Sequence, residues 1–224
     1  MRPPTPSHLT RLAGKTDRWF QRAKTALLSQ VPCHAGCAHC CIGVFPITRL
    51  DVRHLQEGLA QLPKEQLERI GARAAYQVAR LEAADPRLTA SSSLDGWSDG
   101  EIDRVVNAVH DVPCPALDDN GLCSLYAYRP LTCRSMGIPV REGATVNGAC
   151  TVQTFVPIVR LPASFTAEEH ALADHESAEL AKLPEVATDG EELLLPYGFM
   201  PSDGRDDHGP ASTGREQQVG GTAP

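Results

Sequence analysis

Apolar residues recur at helical spacing in several segments of this chain, and prolines or polar turn formers separate those segments. The first apolar stripe starts at Leu9 and stops before Pro32, which predicts an N-terminal helix. Ahead of the next stripe, Thr48 and Asp51 have the spacing of a pair that caps a helix N-terminus. The helix that they begin should run to about Leu62.

A third helix should follow Pro63, because proline suits the first position of a helix. Its segment, "KEQLERIGARAAYQVARLEAAD", has one apolar face that should pack on the core. The residues of that face are Leu67, Ile70, Ala74, Val78 and Leu81. Further along, "EIDRVVNAVH" predicts a short helix and "TAEEHALADHESAELAKL" a longer one.

Two segments have the pattern of short β-hairpins instead. "CPALDDNGLCSLY" has "DDNG" as its turn, and "IPVREGATVNG" is typical of a second hairpin. Between them, "YRPLTCRS" predicts one turn of helix with Pro130 near its start. The sequence has no internal repeat and no alternating β–α series. We therefore predict a mainly α fold with short β-hairpins, in an irregular cysteine-rich single domain organised around a metal centre.

Composition sets the expected limits of that domain. Residues 1–7 are proline-rich and should be disordered, and 8–200 should form the domain, with its motifs within 33–150. The last stretch, 201–224, is polar and rich in glycine and proline, so it should be a disordered tail.

Charge and hydropathy exclude some classes of function. The formal net charge is −7, and no basic stripe is present that could neutralise nucleic-acid phosphates. No apolar run approaches the roughly 18 residues of a membrane span. The N-terminus lacks the apolar core of a signal peptide, so we expect a cytoplasmic protein whose thiols stay reduced.

The cysteines then become the main candidates for chemistry. The stretch "CHAGCAHCC" holds four of the eight, and the other four lie far downstream. In a reducing compartment, clustered cysteines indicate metal binding more often than a disulfide framework, which is the alternative. Cys40 and Cys41 are adjacent, and in extended backbone their side chains point to opposite faces. These opposite directions favour two metal centres. The alternative is a single centre in which one of the two thiols is a ligand and the other packs against the centre or tunes its charge.

The order of the cysteine motifs resembles a known family. "CHAGCAHCC", "CPAL", "GLCSLY", "YRPLTCR" and "NGAC" follow one another over residues 33–150. Together they are similar to the YkgJ or CxxCxxCC family, described as zinc- or iron-chelating. All eight cysteines of that pattern have counterparts here, although the first spacing is C-x3-C where the family name has C-x2-C. The resemblance implies that the metal ligands are Cys33, Cys37, Cys40, Cys41, Cys114, Cys123, Cys133 and Cys150.

The spacing leaves the metal open between zinc and an iron–sulfur cluster. Structural zinc sites usually have paired C-x2-C knuckles, and this chain has one, from Cys37 to Cys40. Iron–sulfur proteins favour cysteines packed in one loop with remote ligands, which fits this chain better. Arg129 and Arg134 flank Cys133, and we expect them to compensate a thiolate-rich cofactor or bind an anionic substrate; an ordinary salt bridge is the alternative.

Three functions remain open at this point. The first is a metal-binding protein, used for electron transfer or metal handling. The second is an iron–sulfur enzyme that acts on an unknown protein or small-molecule partner, for example with a protein methyltransferase-like activity. Flagellin lysine N-methylases contain a similar cysteine region, but no methyl-donor site can be transferred from them. The third is a partner-binding protein with structural zinc. Radical S-adenosylmethionine enzymes share C-x3-C-x2-C, but the chain lacks the β–α alternation of their barrel.

Overall fold

The computed structural model describes residues 8–27, 36–138, 140–142, 145–147 and 161–201. Most of the described residues are helical, and the chain forms a single domain, so the predicted mainly α fold class is confirmed. The metal centre around which we expect the domain to be organised stays a prediction. The helices are α1 His8–Ala26, α2 Arg49–Leu59, α3 Lys64–Ala84, α4 Arg87–Ala90, α5 Asp99–Asn107, α6 Leu131–Ser135, α7 Ala163–Leu180 and α8 Val186–Asp189. Short 3-10 helices lie at His39–Cys41, at Tyr126–Tyr128 and at Leu195–Phe199. The last of these is called the C-terminal turn below.

Four short strands form two antiparallel pairs. In the first pair, β1 (Pro46–Thr48) lies beside β4 (Glu192–Leu194), which joins the early chain to its C-terminal part. The predicted second hairpin is confirmed as β2 (Val140–Glu142) with β3 (Thr145–Asn147). The predicted first hairpin is reduced to one bridge, between Leu117 and Cys123.

The start of α2 confirms the predicted cap. The Thr48 hydroxyl accepts the Asp51 N–H at 3.3 Å, and the Asp51 carboxylate accepts the Thr48 N–H at 3.5 Å. Such a reciprocal pair satisfies two backbone donors that a helix start leaves open. The helix ends at Leu59, earlier than the sequence suggested, because three residues of turn follow before Pro63.

The apolar face of α3 is mostly buried, as expected. Ile70, Ala74, Val78 and Leu81 are in the core, but Leu67 is 41% exposed, so the predicted stripe begins one turn too early. Because this helix also packs on the 3-10 turn that follows β4, it fastens the C-terminal segment to the centre of the fold.

The core brings together elements that are distant in sequence. One cluster joins Ile47, Leu55, Ile70, Leu125 and Phe199, and so combines α2, α3, the segment before α6 and the C-terminal turn. A separate cluster lies between α1 and α7, where the Trp19 indole donates to the Phe165 carbonyl at 2.9 Å. Helix α1 also contacts α6, and the C-terminal turn contacts α2 and α3, so both ends of the described chain pack on its central segments.

The limits of the domain are only partly visible. We predicted disorder for 1–7 and 201–224; of these, residues 1–7 and 202–224 lie outside the described residues. Within the described ranges, no helix has the length and hydropathy needed to cross a bilayer.

Gly58 allows α2 to approach the segment before α6. A Cβ at this position would lie 2.6 Å from both Cβ and Cγ of Tyr128, and that ring is already packed against His54. We predict that Gly58→Ala lowers the free energy of unfolding by roughly 1–3 kcal/mol through overpacking. Gly71→Ala is the matched helical control, because a Cβ there meets no atom within 4 Å. Urea unfolding should show a loss for the first variant only; equal stabilities would contradict the close packing.

Asp51 should make stability depend on pH. Burial and the nearby Glu176 charge raise its pKa from 3.8 to about 7. The folded state therefore holds this proton more tightly than the unfolded state, and its contribution to the free energy of unfolding is lost as pH rises from about 4 through 7. We predict that wild type loses more stability than Asp51→Asn between pH 5 and pH 7.5. Comparing the two proteins at each pH in urea cancels titrations that they share. A constant difference would contradict the raised pKa.

Candidate metal centre

The first cysteine segment is held by backbone hydrogen bonds to the segment before Cys114. The 3-10 turn is closed by the Cys41 N–H on the Ala38 carbonyl at 2.9 Å. The Cys114 N–H donates to the Cys41 carbonyl at 2.6 Å, and the Gly43 N–H donates to Val112 at 2.8 Å. Cysteines more than seventy residues apart are therefore neighbours through their main chains.

Cys114 and Cys123 are placed by the tight turn between them. The Asp118 carboxylate accepts the Asn120 and Leu122 N–H groups, and the Asp118 N–H donates to the Leu122 carbonyl at 2.8 Å. Helix α3 supports this turn, since the buried Gln77 amide donates to the Pro113 carbonyl at 2.7 Å. The turn chemistry seen in the sequence thus sets the position of both thiols.

Cys133 lies on α6, a helix of five residues. Pro130 precedes the helix, and the Asp51 carboxylate accepts the Leu131 N–H at 2.8 Å. Arg134 braces the other side, because its guanidinium donates to the Arg129 carbonyl at 3.0 Å and to the Ala127 carbonyl at 2.6 Å. The orientation of this thiol therefore depends on α2 as well as on its own helix.

The described cysteines surround one cavity of about 340 Å³. They are free, partly buried thiols: Cys37, Cys40, Cys41, Cys114, Cys123 and Cys133. The distant cysteines thus meet the first loop, as the sequence predicts. Cys33 and Cys150 lie outside the described residues.

The thiols line the wall of the cavity without closing on one point. In the part of the chain that the structure describes, no three His, Cys, Asp or Glu side chains are arranged to hold one ion. The donor set itself fits a soft metal, because thiolates favour zinc, copper(I) and iron–sulfur centres. Ligation by the eight cysteines therefore stays a prediction.

Neighbouring thiols differ in acidity. Contact with the neighbouring Cys41 thiol is the main reason that the pKa of Cys40 falls from 9.0 to about 7. The same contact, followed by burial, raises the pKa of Cys41. Burial raises the pKa of Cys114 to about 12 and that of Cys133 well above its ordinary value. Burial therefore disfavours the thiolate form of Cys114 and Cys133.

Cationic side chains line the cavity beside these thiols. Arg129 binds one oxygen of Asp17 at 2.9 Å and stacks on the Tyr126 ring at 4.1 Å, while Arg134 is buried and binds the other oxygen. Both arginines line the cavity together with Lys24, and the described lining residues include no carboxylate. The Arg129 Nε is buried and has no hydrogen-bond partner in the described structure.

Asp17 and Lys24 were missed by the sequence analysis. Both lie on α1, a helix that the sequence indicates only as an amphipathic element before the cysteine loop. Nothing in the local pattern connects them to the arginines, which lie more than a hundred residues away. Tyr126 stands within the motif "GLCSLYAYRPLTCR", but its stacking on Arg129 depends on the 3-10 turn between them.

A family model matches this chain, whereas no curated protein and no solved structure matches it. A family model named CxxCxxCC, with the description "Putative zinc- or iron-chelating domain", matches residues 32–151, which is more than half of the chain. Every cysteine of the chain falls within that match. The thiols of the cavity thus lie in the part of the chain that the family model covers, and this chain belongs to the CxxCxxCC family.

Proposed function

We propose that this protein chelates zinc or an iron–sulfur cluster through its cysteines, and serves as a metal-handling or electron-transfer module. The observation that carries the proposal is the gathering of six thiols from three distant segments on one cavity. Thiols packed together without a metal would gain little, since each is a weak hydrogen-bonding group. Their convergence across the fold is therefore best explained by a shared soft ligand.

The charges around the cavity support a thiolate centre. Arg129, Arg134 and Lys24 line it, and Asp17 neutralises part of the arginine charge from outside. A divalent ion bound by four thiolates carries two negative charges, so cations nearby would stabilise it. Iron–sulfur centres with thiolate ligands are also anionic, so this argument favours a thiolate centre without selecting its metal.

Several residues have defined roles in this proposal. The cysteines would be the ligands, and the lowered pKa of Cys40 favours its thiolate form. The other thiols must release protons when metal binds, and Arg134 would offset the charge that forms next to Cys133. Bound zinc would crosslink the segments, whereas an iron–sulfur cluster would carry an electron.

Anaerobic purification followed by metal and sulfide analysis tests the proposal. Iron with acid-labile sulfide and visible absorption would identify a cluster, and zinc in a colourless protein would identify a zinc site. Purified protein that contains neither metal, and takes up neither under reducing conditions, would contradict the proposal. Expression should be cytoplasmic, where we propose that the protein works, because thiols stay reduced there.

We predict that Cys37→Ser loses metal and melts at a lower temperature, since a hydroxyl is a harder and far less acidic donor than a thiol. Cys41→Ser should have a smaller effect if that thiol only tunes or packs against the centre. Ala38→Ser is the matched control, because it adds a hydroxyl to the same loop and leaves every thiol in place. Metal stoichiometry and melting temperature are measured on protein prepared without oxygen. Full metal content and stability in Cys37→Ser would show that the loop does not bind metal.

A further inference from the structure

The thiol-lined cavity has an apolar wall as well as its sulfur atoms. Phe20 from α1, Leu55 from α2, and Leu195 and Phe199 from the C-terminal turn all line it. These side chains belong to buried clusters, so their positions are set by the core. A wall of this kind favours an apolar ligand body, because each buried methylene contributes about 0.8 kcal/mol.

The cavity is also larger than a single ion requires. Thiolates close around zinc at about 2.3 Å, which leaves no free space between ion and ligands. The volume of about 340 Å³ instead lies in the range of small-molecule pockets, roughly 300–1,000 Å³. Space for an organic molecule therefore exists next to the thiols.

Arg129 is the polar group best placed to orient such a molecule. It lines the cavity, where the Tyr126 ring stacks on its guanidinium and Nη2 donates to Asp17. Arg134 differs, because its three nitrogens already contact Asp17 and two backbone carbonyls. Arg129 is thus the arginine whose guanidinium is less engaged by the described residues.

The sign of the charge indicates what this guanidinium would bind. The whole chain has a net charge of −7, yet the described lining of the cavity has three cations and no carboxylate. From this arrangement we infer that the cavity binds a small organic carboxylate with an apolar body, its anionic oxygen on the Arg129 guanidinium and its body against the apolar wall. The inference rests on the proposed function, in which the neighbouring cysteines bind a metal. The metal would then lie beside a substrate pocket and have a chemical role.

Displacement of a fluorescent probe tests the inference on reduced, metal-loaded, full-length protein. The neutral dye 1-N-phenylnaphthylamine reports occupation of the apolar wall. Octanoate and 1-octanol are the competitors, because they share one alkyl body and differ in charge. We expect octanoate to bind at least about tenfold more tightly than octanol, as a charge-assisted hydrogen bond contributes about 1.5–3 kcal/mol. In Arg129→Gln this ratio should fall to near one while the dye still binds.

Two further variants keep the test decisive. Arg22→Gln is the control, because Arg22 is an exposed arginine of α1 that pairs with Glu168 and is absent from the cavity lining. Tyr126→Ala removes the stacking ring without opening the core, since that ring is 62% exposed, and should lower the octanoate preference severalfold. It replaces Arg129→Gln should that variant fail to fold.

The outcomes separate this inference from the proposed function, because metal content is measured on the same samples. An octanoate preference that survives both Arg129→Gln and Tyr126→Ala overturns the carboxylate site. So does a metal-loaded protein that admits no dye, since the centre would then fill the cavity. If protein that contains no metal keeps an Arg129-dependent preference for octanoate, the proposed metal chelation is wrong and the carboxylate site stands.

Discussion

The buried carboxylate of Asp51 connects the parts of the molecule on which the candidate centre depends. One of its oxygens accepts the Thr48 N–H and so completes the cap of α2, while the other accepts the Leu131 N–H at the start of α6. Two helix N-termini that are about eighty residues apart therefore share one acceptor. Each helix start has backbone donors without intrahelical partners, and a carboxylate between two such starts satisfies both.

This junction explains why the position of Cys133 is tied to the folding of α2. The backbone hydrogen bond between Cys41 and Cys114 has a similar effect on the other side of the cavity, and α3 supports it through Gln77. The thiols are thus held by the packing of several helices rather than by one loop. A metal bound among them would stabilise those same contacts, so its binding free energy would also be folding free energy.

The cavity combines two properties that are usually separate. Its thiols have mostly raised pKa values, because burial disfavours thiolates, yet its cations favour the anionic state. A metal reconciles these properties, since it deprotonates the thiols and leaves an anionic centre that the cations stabilise. The apolar wall serves neither purpose, which is why we assign it to the body of an organic ligand.

Local chemistry in the sequence was sufficient for much of the fold. The Thr48 and Asp51 cap, the Pro63 and Pro130 helix starts and the hairpin at 140–147 depend on residues within a few positions of one another, so pattern alone predicts them. Strand β4 was missed, because three residues are too few to show a period and its partner lies far away in the chain.

The same distinction applies to the site. The eight cysteines and the two arginines could be named from residue type, spacing and resemblance, since thiols and guanidinium groups have distinctive chemistry wherever they lie. The roles of Asp17 and Lys24 and the apolar wall could not be foreseen, because each depends on how α1, α2 and the C-terminal turn pack together. The sequence by itself therefore determined which atoms could bind a metal. Only the tertiary structure decided which charges and what space surround them, because those are properties of contacts between segments distant in the chain.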